Sequence, residues 1–375
     1  MNNVIDNHNI VSSEEIFGII EKSAKMLMDN PALAGVIPAV MLRGAPGVGK
    51  STIVRTVAEK LGIGFIDVRL AQMERVDFAG LPSVNNGVTE WNVPAFWPRD
   101  PKSKGIVLLD EITSAPSDCQ VAAYSVVLDR RIPNSNYKLP DGWLIVAAGN
   151  RQCDKAVVKM MSSALANRFV HFEVEANSED WTKWAVKKSI NPAVVGFINY
   201  RPASLFNMEG QNLEQGFPTP RSWERVSSAI SMFSDNEALL RKMVYGLVGN
   251  GAGVEFMEFY KIQSRFDDVL AVMTDESKDF TLPSKADERF AVASAVVYHL
   301  WNGKDAEEQE KRINGFYKIL MKMPNDFGAL MIKSAMLGNN KIESFDAMSA
   351  LISNKNYKAA SKKFETSFSE QYMSL

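Results

Sequence analysis

The stretch GAPGVGKST, residues Gly44–Thr52, determines the fold that we predict for the first half of this chain. It follows an apolar run at 36–42 and leads into the helical pattern of 53–58. Glycines allow the backbone amides of such a turn to point inward, and the dipole of the next helix favours an anion there. Lys50 is then expected to reach phosphate oxygens and Ser51 to bind Mg²⁺. We therefore predict a phosphate-binding loop made of Gly44, Ala45, Pro46, Gly47, Val48, Gly49, Lys50, Ser51 and Thr52.

A second motif has the carboxylates that such a loop needs. The apolar run Ile106–Leu109 predicts a buried strand, and Asp110 and Glu111 follow it directly. We expect Asp110 to hold Mg²⁺ together with Ser51, through a water molecule. Glu111 is predicted to polarise the attacking water as a general base. An apolar strand that ends in two acids is common at solvated strand ends, so this prediction depends on the preceding loop.

The order of elements predicts an α/β fold followed by helices. Apolar strands alternate with helical segments up to about residue 176, which favours a parallel sheet covered on both faces. Beyond it the pattern is helical, with Tyr200 to Pro218 predicted as a loop. We divide the chain into an α/β core (1–176), a small helical domain (177–275) and a helical C-terminal extension (276–375). The predicted strands are 36–42, 65–70, 105–110, 143–148 and 169–174, and the predicted helices include 50–61, 120–128, 180–189, 192–199, 221–233, 237–248, 284–301 and 306–323.

Composition excludes several other classes of protein. Of the 375 residues, 46% are hydrophobic and 23% charged, and the net charge of −2 indicates no general attraction to nucleic acid or anionic lipid. Cys119 and Cys153 do not form a disulfide framework, and with His171 they have no metal-site spacing. The first six residues, Met1 to Asp6, lack the pattern of a signal peptide, and no apolar run is long enough to span a bilayer. These observations predict a cytoplasmic protein without membrane association.

Three further polar residues give the chain a family resemblance. Asn150 follows the buried strand Trp143–Gly149, Arg168 stands at a helix-to-strand junction, and Arg221 follows Thr219 and Pro220 in the first turn of a predicted helix. Taken alone, Asn150 is typical of a turn and Arg168 of a surface ion pair. Together with the loop and the carboxylates they resemble the AAA+ ATPases. The resemblance implies that Asn150 positions the attacking water, that Arg168 is the arginine finger for a neighbouring subunit, and that Arg221 is the second sensor arginine of the lid. A cation at a positive helix end also favours an anionic partner.

Two insertions narrow the resemblance to the MoxR-type ATPases, including bacterial and phage relatives that occur with von Willebrand-type partner proteins. The stretch 77–98 resembles the insertion that projects toward a ring pore, and 129–143 resembles the hairpin before the first sensor strand. The likeness covers roughly residues 37–228. It implies an AAA+ sandwich with a helical lid, which uses ATP and Mg²⁺ as a ring, expected to be a hexamer, to remodel a protein client. Trp91, Phe96 and Trp97 of the insertion are expected either to grip that client or to pack the base of the insertion.

Other functions stay open at this point. Related ATPases include nucleic-acid motors and loaders, and aromatic side chains near a pore can stack on single strands. A nucleotide-gated scaffold would bind ATP with little turnover, although Asp110 and Glu111 are those of an active hydrolase. The phosphate loop contacts no base, so its sequence is equally compatible with GTP.

Overall fold

A computed structural model describes residues 9–154, 159, 161–208, 215–264 and 268–367 of the chain. The N-terminal residues Met1 to Asp6 and part of the predicted loop 200–218 lie outside these ranges. The chain folds into two compact units, Met1–Ala176 and Asn177–Leu375.

The first unit is a parallel sheet with helices between its strands. Its helices are α1 (Ser13–Asp29), α2 (Lys50–Leu61), α3 (Arg75–Ala79), α4 (Ser117–Asp129) and α5 (Ser163–Ala166). Its strands are β1 (Ile10–Val11), β2 (Ala39–Arg43), β3 (Gly64–Arg69), β4 (Leu81–Asn85), β5 (Val88–Asn92), β6 (Gly105–Asp110), β7 (Trp143–Gly149) and β8 (Phe169–Val174).

Six of these strands form one sheet in the order β1-β8-β2-β7-β6-β3, and every described pair in it is parallel. The apolar residues Ile106–Leu109 of β6 are completely buried. A strand that is apolar on both faces requires cover on both sides of the sheet, as the sequence predicts. In a sheet of this kind ligands bind at the carboxyl ends of the strands, beside the point where the strand order reverses. The predicted parallel α/β fold is confirmed.

The entry into β2 differs from the prediction. The apolar run from Val36 suggests a strand, but a 3₁₀ turn occupies Pro31–Gly35 and the strand begins only at Ala39. Asn30 caps this turn by accepting a hydrogen bond from the backbone N–H of Ala32 at 3.2 Å. Val36 is 73% exposed, so its apolar character did not reflect burial in the sheet.

The two predicted insertions have distinct structures. β4 and β5 pair as an antiparallel two-stranded ribbon outside the main sheet. The segment before β7 makes a short antiparallel turn, in which Arg131 bridges Lys138. Arg130 fastens this turn from inside, because its Nη2 donates to the carbonyls of Pro140 and Trp143, each at 2.7 Å.

The second unit is helical, as predicted. Aromatic side chains of α7 (Pro192–Tyr200), α8 (Pro220–Phe233) and α9 (Glu237–Ser264) pack together. The Phe197 ring centroid lies 5.3 Å from that of Trp223 and 5.5 Å from that of Phe256. The helix α11 (Ala286–Leu300) packs on α7 and α9, so residues on both sides of position 275 share one compact unit. The separation of a lid from an extension at 275/276 stays a prediction. The helices are α6 (Ser178–Lys187), α7 (Pro192–Tyr200), α8 (Pro220–Phe233), α9 (Glu237–Ser264), α10 (Val269–Thr274), α11 (Ala286–Leu300), α12 (Ala306–Leu320), α13 (Asn325–Met336), α14 (Ser344–Ile352) and α15 (Tyr357–Lys363).

Within the described part of the chain, no helix combines the length and the apolar character needed to cross a membrane.

Candidate functional site

The turn between β2 and α2 has a backbone that only glycine suits. Gly47 and Gly49 have φ values of 82° and 100°, in the left-handed region that side chains disfavour. A Cβ on Gly44 would lie 2.3 Å from the carbonyl oxygen of Val174, because the end of β8 passes directly beside the turn. Gly49 is the N-cap of α2 and has no side chain to cap the first amides of the helix. These N–H groups can therefore bind an anion.

Lys50 links this loop to the tip of β7. Its side chain is buried, and Nζ donates to the carbonyl oxygens of Gly44 at 2.7 Å and Ala45 at 2.9 Å. Nζ also lies 3.3 Å from Oδ1 of Asn150, which accepts a hydrogen bond from it. The fold thus brings together two residues that are 100 positions apart in the sequence, and the charge of Lys50 is held beside the loop.

Ser51 and Asp110 meet across α2 and β6. The Ser51 hydroxyl donates to Asp110 Oδ2 at 2.6 Å, and Asp110 Oδ1 accepts the backbone N–H of Glu111 at 2.9 Å. A hydroxyl and a carboxylate are hard oxygen ligands of the type that Mg²⁺ prefers. The two residues that the sequence predicts as Mg²⁺ ligands are therefore in contact, and their role toward the metal stays a prediction.

Glu111 has an unusual backbone for a residue with a side chain. Its φ is 56°, a left-handed conformation that costs about 1–3 kcal/mol when the surroundings impose it. The surroundings do so here through two hydrogen bonds, from Ser114 N to the Glu111 carbonyl at 2.9 Å and from Ile112 N to the Ala148 carbonyl at 3.0 Å. The side chain of Glu111 is exposed at the same sheet edge as Asp110. A carboxylate in this position is available to a water molecule.

Thr113 is a contact of Asn150 that the sequence did not reveal. It is 3% exposed, and its hydroxyl oxygen accepts the backbone N–H of Asn150 at 3.1 Å. The hydroxyl also lies 3.4 Å from the Asn150 carbonyl oxygen, to which it donates. Thr113 thereby joins the segment after the two carboxylates to the tip of β7. Its only signal in the sequence is a polar residue three positions after Asp110.

Arg151, which the sequence gave no reason to single out, holds the segment after Asn150 in place. Its guanidinium pairs with Asp154 at 2.9 Å, with Glu173 at the end of β8, and with Glu175 at 3.5 Å. Burial by itself would lower the pKa of Arg151, but the hydrogen bonds to Asp154 and Glu173 outweigh it and raise the pKa above its ordinary value. Arg151 therefore stays charged and ties the ends of β7 and β8 together.

Asp67 adds a further carboxylate at this edge of the sheet. It lies on β3 and pairs with Leu108, two residue pairs before Arg69 pairs with Asp110. Burial raises its pKa above the ordinary value, the negative charge of Asp110 raises it further, and Arg69 and Arg55 act in the opposite direction. Arg55 Nη2 donates to Asp67 Oδ2 at 3.3 Å. The sequence gave no reason to connect Asp67 with the site.

Arg168 lies at the other end of the sheet. Phe169 pairs with Ala39, where β2 starts, whereas Glu173 pairs with Arg43, where the loop begins. The four steps along the strand from Ala39 to Arg43 separate these ends by roughly 13 Å. Arg168 Nη1 donates to the carbonyl of Ala164, and the guanidinium carbon is 4.5 Å from the centroid of the Tyr124 ring. Arg168 and the phosphate loop of the same chain are therefore not brought together.

Arg221 belongs to the second unit. As the sequence predicts, Thr219 caps α8, since its Oγ1 accepts the backbone N–H of Ser222 at 3.0 Å, and Pro220 is the first helical residue. Arg221 follows in the first turn with an exposed side chain. Its role toward the phosphate loop stays a prediction.

The aromatic residues of the first insertion differ in burial, and the role of Trp91 toward a client stays a prediction. Trp97 is 1% exposed, and its Nε1 donates to the carbonyl of Phe78 at 3.1 Å. The rings of Phe78 and Phe96 lie 5.3 and 5.0 Å from that of Trp97, centroid to centroid. Trp97 and Phe96 thus pack the base of the insertion, while Trp91 is half-buried on β5.

The remaining candidates from the sequence are His171 and the two cysteines. His171 lies in β8, and its Nε2 is 2.7 Å from the carbonyl oxygen of Ala166. Cys119 is buried and Cys153 exposed, and both are free thiols. Among the residues that the structure describes, no cluster of three His, Cys, Asp or Glu side chains could hold a metal ion.

The parallel sheet, the glycine loop and the Lys50–Asn150 and Ser51–Asp110 contacts are those of a P-loop α/β fold. Residues 39–169 match, more particularly, the family profile of the AAA domain, dynein-related subfamily. This match covers the strands from β2 to the start of β8, including the loop and both carboxylates.

Curated proteins with similar sequences are Lon proteases. The chain is 27% identical over 126 residues to the Lon protease of Metamycoplasma arthritidis, which covers 33% of this chain and 15% of that protein. It is 29% identical over 108 residues to Lon protease 2 of Borreliella burgdorferi, which covers 28% and 14%. The likeness therefore spans about one seventh of the length of these relatives.

Among solved structures, a RuvB mutant from Thermotoga maritima is similar at 18% sequence identity and a TM-score of 0.39. The alignment covers 81% of this chain and 90% of the RuvB chain.

Proposed function

We propose that this protein is a Mg²⁺-dependent ATPase that works as a self-assembled ring and remodels a protein partner. The observation that carries the proposal is the convergence of Lys50, Ser51, Asp110 and Asn150 at the carboxyl ends of three neighbouring strands. Each of these side chains has a defined task in phosphate chemistry, and each is already held by a neighbour within the first unit.

The residues present fit a nucleotide and its metal ion. The amides of the glycine loop and the ammonium of Lys50 would hold the phosphates, and Ser51 and Asp110 would hold Mg²⁺. Bound Mg²⁺ neutralises negative charge on the phosphate oxygens. Glu111 accepts a proton from the attacking water, and Asn150 orients that water through its side-chain amide. Arg221 is proposed to add a positive charge from the helical unit.

The proposed ring follows from the position of Arg168. Arg168 and its own loop lie at opposite ends of the sheet, which supports a role of its guanidinium toward the nucleotide of another copy of this chain. The outer face of α4 supports such a contact, since Val121 is 68% and Leu128 43% exposed there. Exposed apolar side chains that share one helix face are typical of a surface that a partner covers. A neighbouring copy is the cover that we propose, with a hexamer as the expected assembly.

A protein client is supported by the β4–β5 ribbon. Its register places Ser83, Asn85, Glu90 and Asn92 on one face, where they hydrogen-bond to one another. The opposite face carries Val84, which is 77% exposed, next to the half-buried Trp91. Exposed apolar and aromatic groups bind polypeptide with little dependence on its sequence. In keeping with the MoxR resemblance, we propose a client of the von Willebrand type in the cytoplasm.

A nucleic-acid motor is the second candidate, and the charge of the chain disfavours it. The net charge is −2 and the isoelectric point about 6.1, whereas nucleic-acid-binding domains usually carry a basic patch. A scaffold with little turnover is disfavoured by the placement of Glu111 beside Asp110.

Phosphate release by the full chain tests the proposal directly. With ATP and Mg²⁺ we expect turnover that EDTA abolishes and that Lys50→Ala reduces by about 100-fold or more. Lys60→Ala, at the exposed end of the same helix, is the matched control and should behave as wild type. Parallel measurements with GTP establish the base preference.

Addition of single-stranded DNA or RNA separates the two candidates. We expect turnover to change by less than about 2-fold, because the proposed client is a polypeptide. Strong stimulation by either nucleic acid would contradict the protein-remodelling proposal. Absence of turnover in the wild-type assembly would instead favour the scaffold.

A further inference from the structure

Arg168 is held by the face of an aromatic ring. Its guanidinium carbon lies 4.5 Å from the centroid of the Tyr124 ring, which is within the range of a favourable cation–π contact. Nη1 donates to the carbonyl of Ala164 one turn earlier. Among the described residues no acceptor is within hydrogen-bonding distance of the buried Nε. The ring and one carbonyl therefore determine where the guanidinium lies.

Tyr124 stands on a rigid support. It belongs to α4 and packs half-buried against the core of the first unit. One turn earlier on the same helix, the buried Gln120 donates from Nε2 to the carbonyl of Ile112 at 3.0 Å, in the segment that follows Glu111. α4 is thus fastened to the catalytic edge of the sheet at Gln120 and contacts Arg168 at Tyr124.

Tyr124 also lies in the exposed apolar strip of its helix. Val121 and Leu128 are three and four positions away and share its face. A guanidinium held at this strip is at a surface suited to a neighbouring copy, while its own phosphate loop lies at the far end of the sheet. The ring is therefore in the right place to prepare Arg168 for a site in another subunit.

We propose that Tyr124 is a positioning residue for Arg168, and that its ring face holds the guanidinium in the orientation required by the neighbour's nucleotide. The inference rests on the proposed trans role of Arg168 and adds the group that makes this role effective. A flexible arginine would have to be ordered during each turnover, whereas a ring-stacked one is ordered beforehand.

Two substitutions distinguish an effect of the Tyr124 ring face from an effect of its packing volume. Tyr124→Phe keeps the ring, and we expect kcat within about 2-fold of wild type. Tyr124→Leu keeps apolar volume but removes the ring, and we expect kcat to fall about 3- to 10-fold, with KM for ATP and assembly size unchanged. Phe17→Leu is the matched control, since it removes the contact of the Lys60 ammonium with the Phe17 ring, 5.0 Å from the centroid, away from the site.

Mixed assemblies give a readout that misfolding would not produce. Tyr124→Leu subunits retain their own phosphate loop, and Lys50→Ala subunits retain Tyr124 and Arg168. Mixing them should raise turnover per Tyr124→Leu subunit above that of the Tyr124→Leu assembly alone. No recovery in assemblies shown to contain both variants would overturn the inference, as would equal loss in Tyr124→Phe and Tyr124→Leu.

Different experimental results would contradict the inference about Tyr124 and the proposed role of Arg168. If Arg168→Ala is impaired but Tyr124→Leu has wild-type kcat, then Tyr124 does not position the arginine and the trans role of Arg168 stands. If Arg168→Ala itself turns over like wild type in assembled rings, then the trans role is wrong and the inference falls with it.

Discussion

At the end of the sheet where β2, β6 and β7 finish, the charged and polar side chains hold one another. Lys50 contacts Asn150, Ser51 contacts Asp110, and Thr113 joins the two strand ends. At the end where the strands begin, Arg168 contacts a ring face and one carbonyl. The first end is equipped to bind phosphate within one chain, whereas we propose that the second acts on a neighbouring subunit. This difference is the basis of our proposal that two subunits share one site.

The largest expected effect comes from a substitution at the end of the sheet where the strands begin. Arg168→Ala should retain nucleotide binding and lose roughly 10³–10⁵ in the rate of hydrolysis, because the charge that stabilises the transition state is removed. Turnover and nucleotide binding, measured separately, check this. Arg131→Ala, an exposed arginine of the same unit, is the control.

Mixing tests whether the lost charge acted in trans. Arg168→Ala subunits with Lys50→Ala subunits should regain part of the activity. If mixed rings form and stay inactive, Arg168 does not serve a neighbouring site.

The next largest effect is expected at the end of the sheet where β2, β6 and β7 finish, from a substitution that preserves side-chain shape. Glu111→Gln keeps the volume of the side chain but cannot accept a proton, so hydrolysis should fall by about 10²–10⁴ while ATP binding persists. Phosphate release and equilibrium nucleotide binding are the measurements. Equal, low turnover in wild type and variant would show that Glu111 is not the base and would favour a nucleotide-gated scaffold.

A smaller effect concerns the backbone at the loop end. Gly44→Ala places a Cβ 2.3 Å from the Val174 carbonyl oxygen, so β8 or the loop must shift. We expect the free energy of unfolding to fall by about 1–3 kcal/mol, with weaker ATP binding. Gly35→Ala is the matched control, because a Cβ there meets no atom within 4 Å. Equal stability of the two variants in denaturant titrations would contradict the close approach of β8.

The smallest expected effect concerns the charge of Asp67 at the same end of the sheet. The pKa of Asp67 is raised by burial and by Asp110, so its charged form is less favourable in the folded than in the unfolded chain. Folding stability associated with Asp67 is therefore greatest below its unfolded pKa and is lost as the pH rises through the raised value. At pH 7 we expect Asp67→Asn to increase Tm by roughly 1–3 °C.

The gain from Asp67→Asn should shrink as the pH falls through the raised pKa of Asp67, because wild-type Asp67 is then protonated as well. Asp235→Asn, at an exposed position, should leave Tm unchanged at both pH values. A lower Tm of Asp67→Asn at pH 7 would mean that the contacts with Arg55 and Arg69 outweigh burial.

Much of the fold could be predicted because its signals are local. Continuous apolar runs indicated β6 and β7, and Thr219 and Pro220 indicated the start of α8. The strand at Val36 was misjudged because an exposed apolar residue and a buried one look alike in a sequence. The packing of α11 on α7 and α9 was equally invisible, since it depends on contacts between distant segments.

The sequence by itself predicted which side chains bind phosphate and Mg²⁺ and which one activates water in the function that we propose. Lys50, Ser51, Asp110 and Glu111 stand at spacings that follow from a strand, a turn and a helix, and those are set by nearest neighbours along the chain. Tertiary structure decided which residues support them. Thr113, Arg151 and Tyr124 act through partners that only the parallel register brings close, and Arg168 is separated from its own loop by the length of a strand. Side-chain type is local information, whereas contact across strands depends on how the whole sheet is ordered.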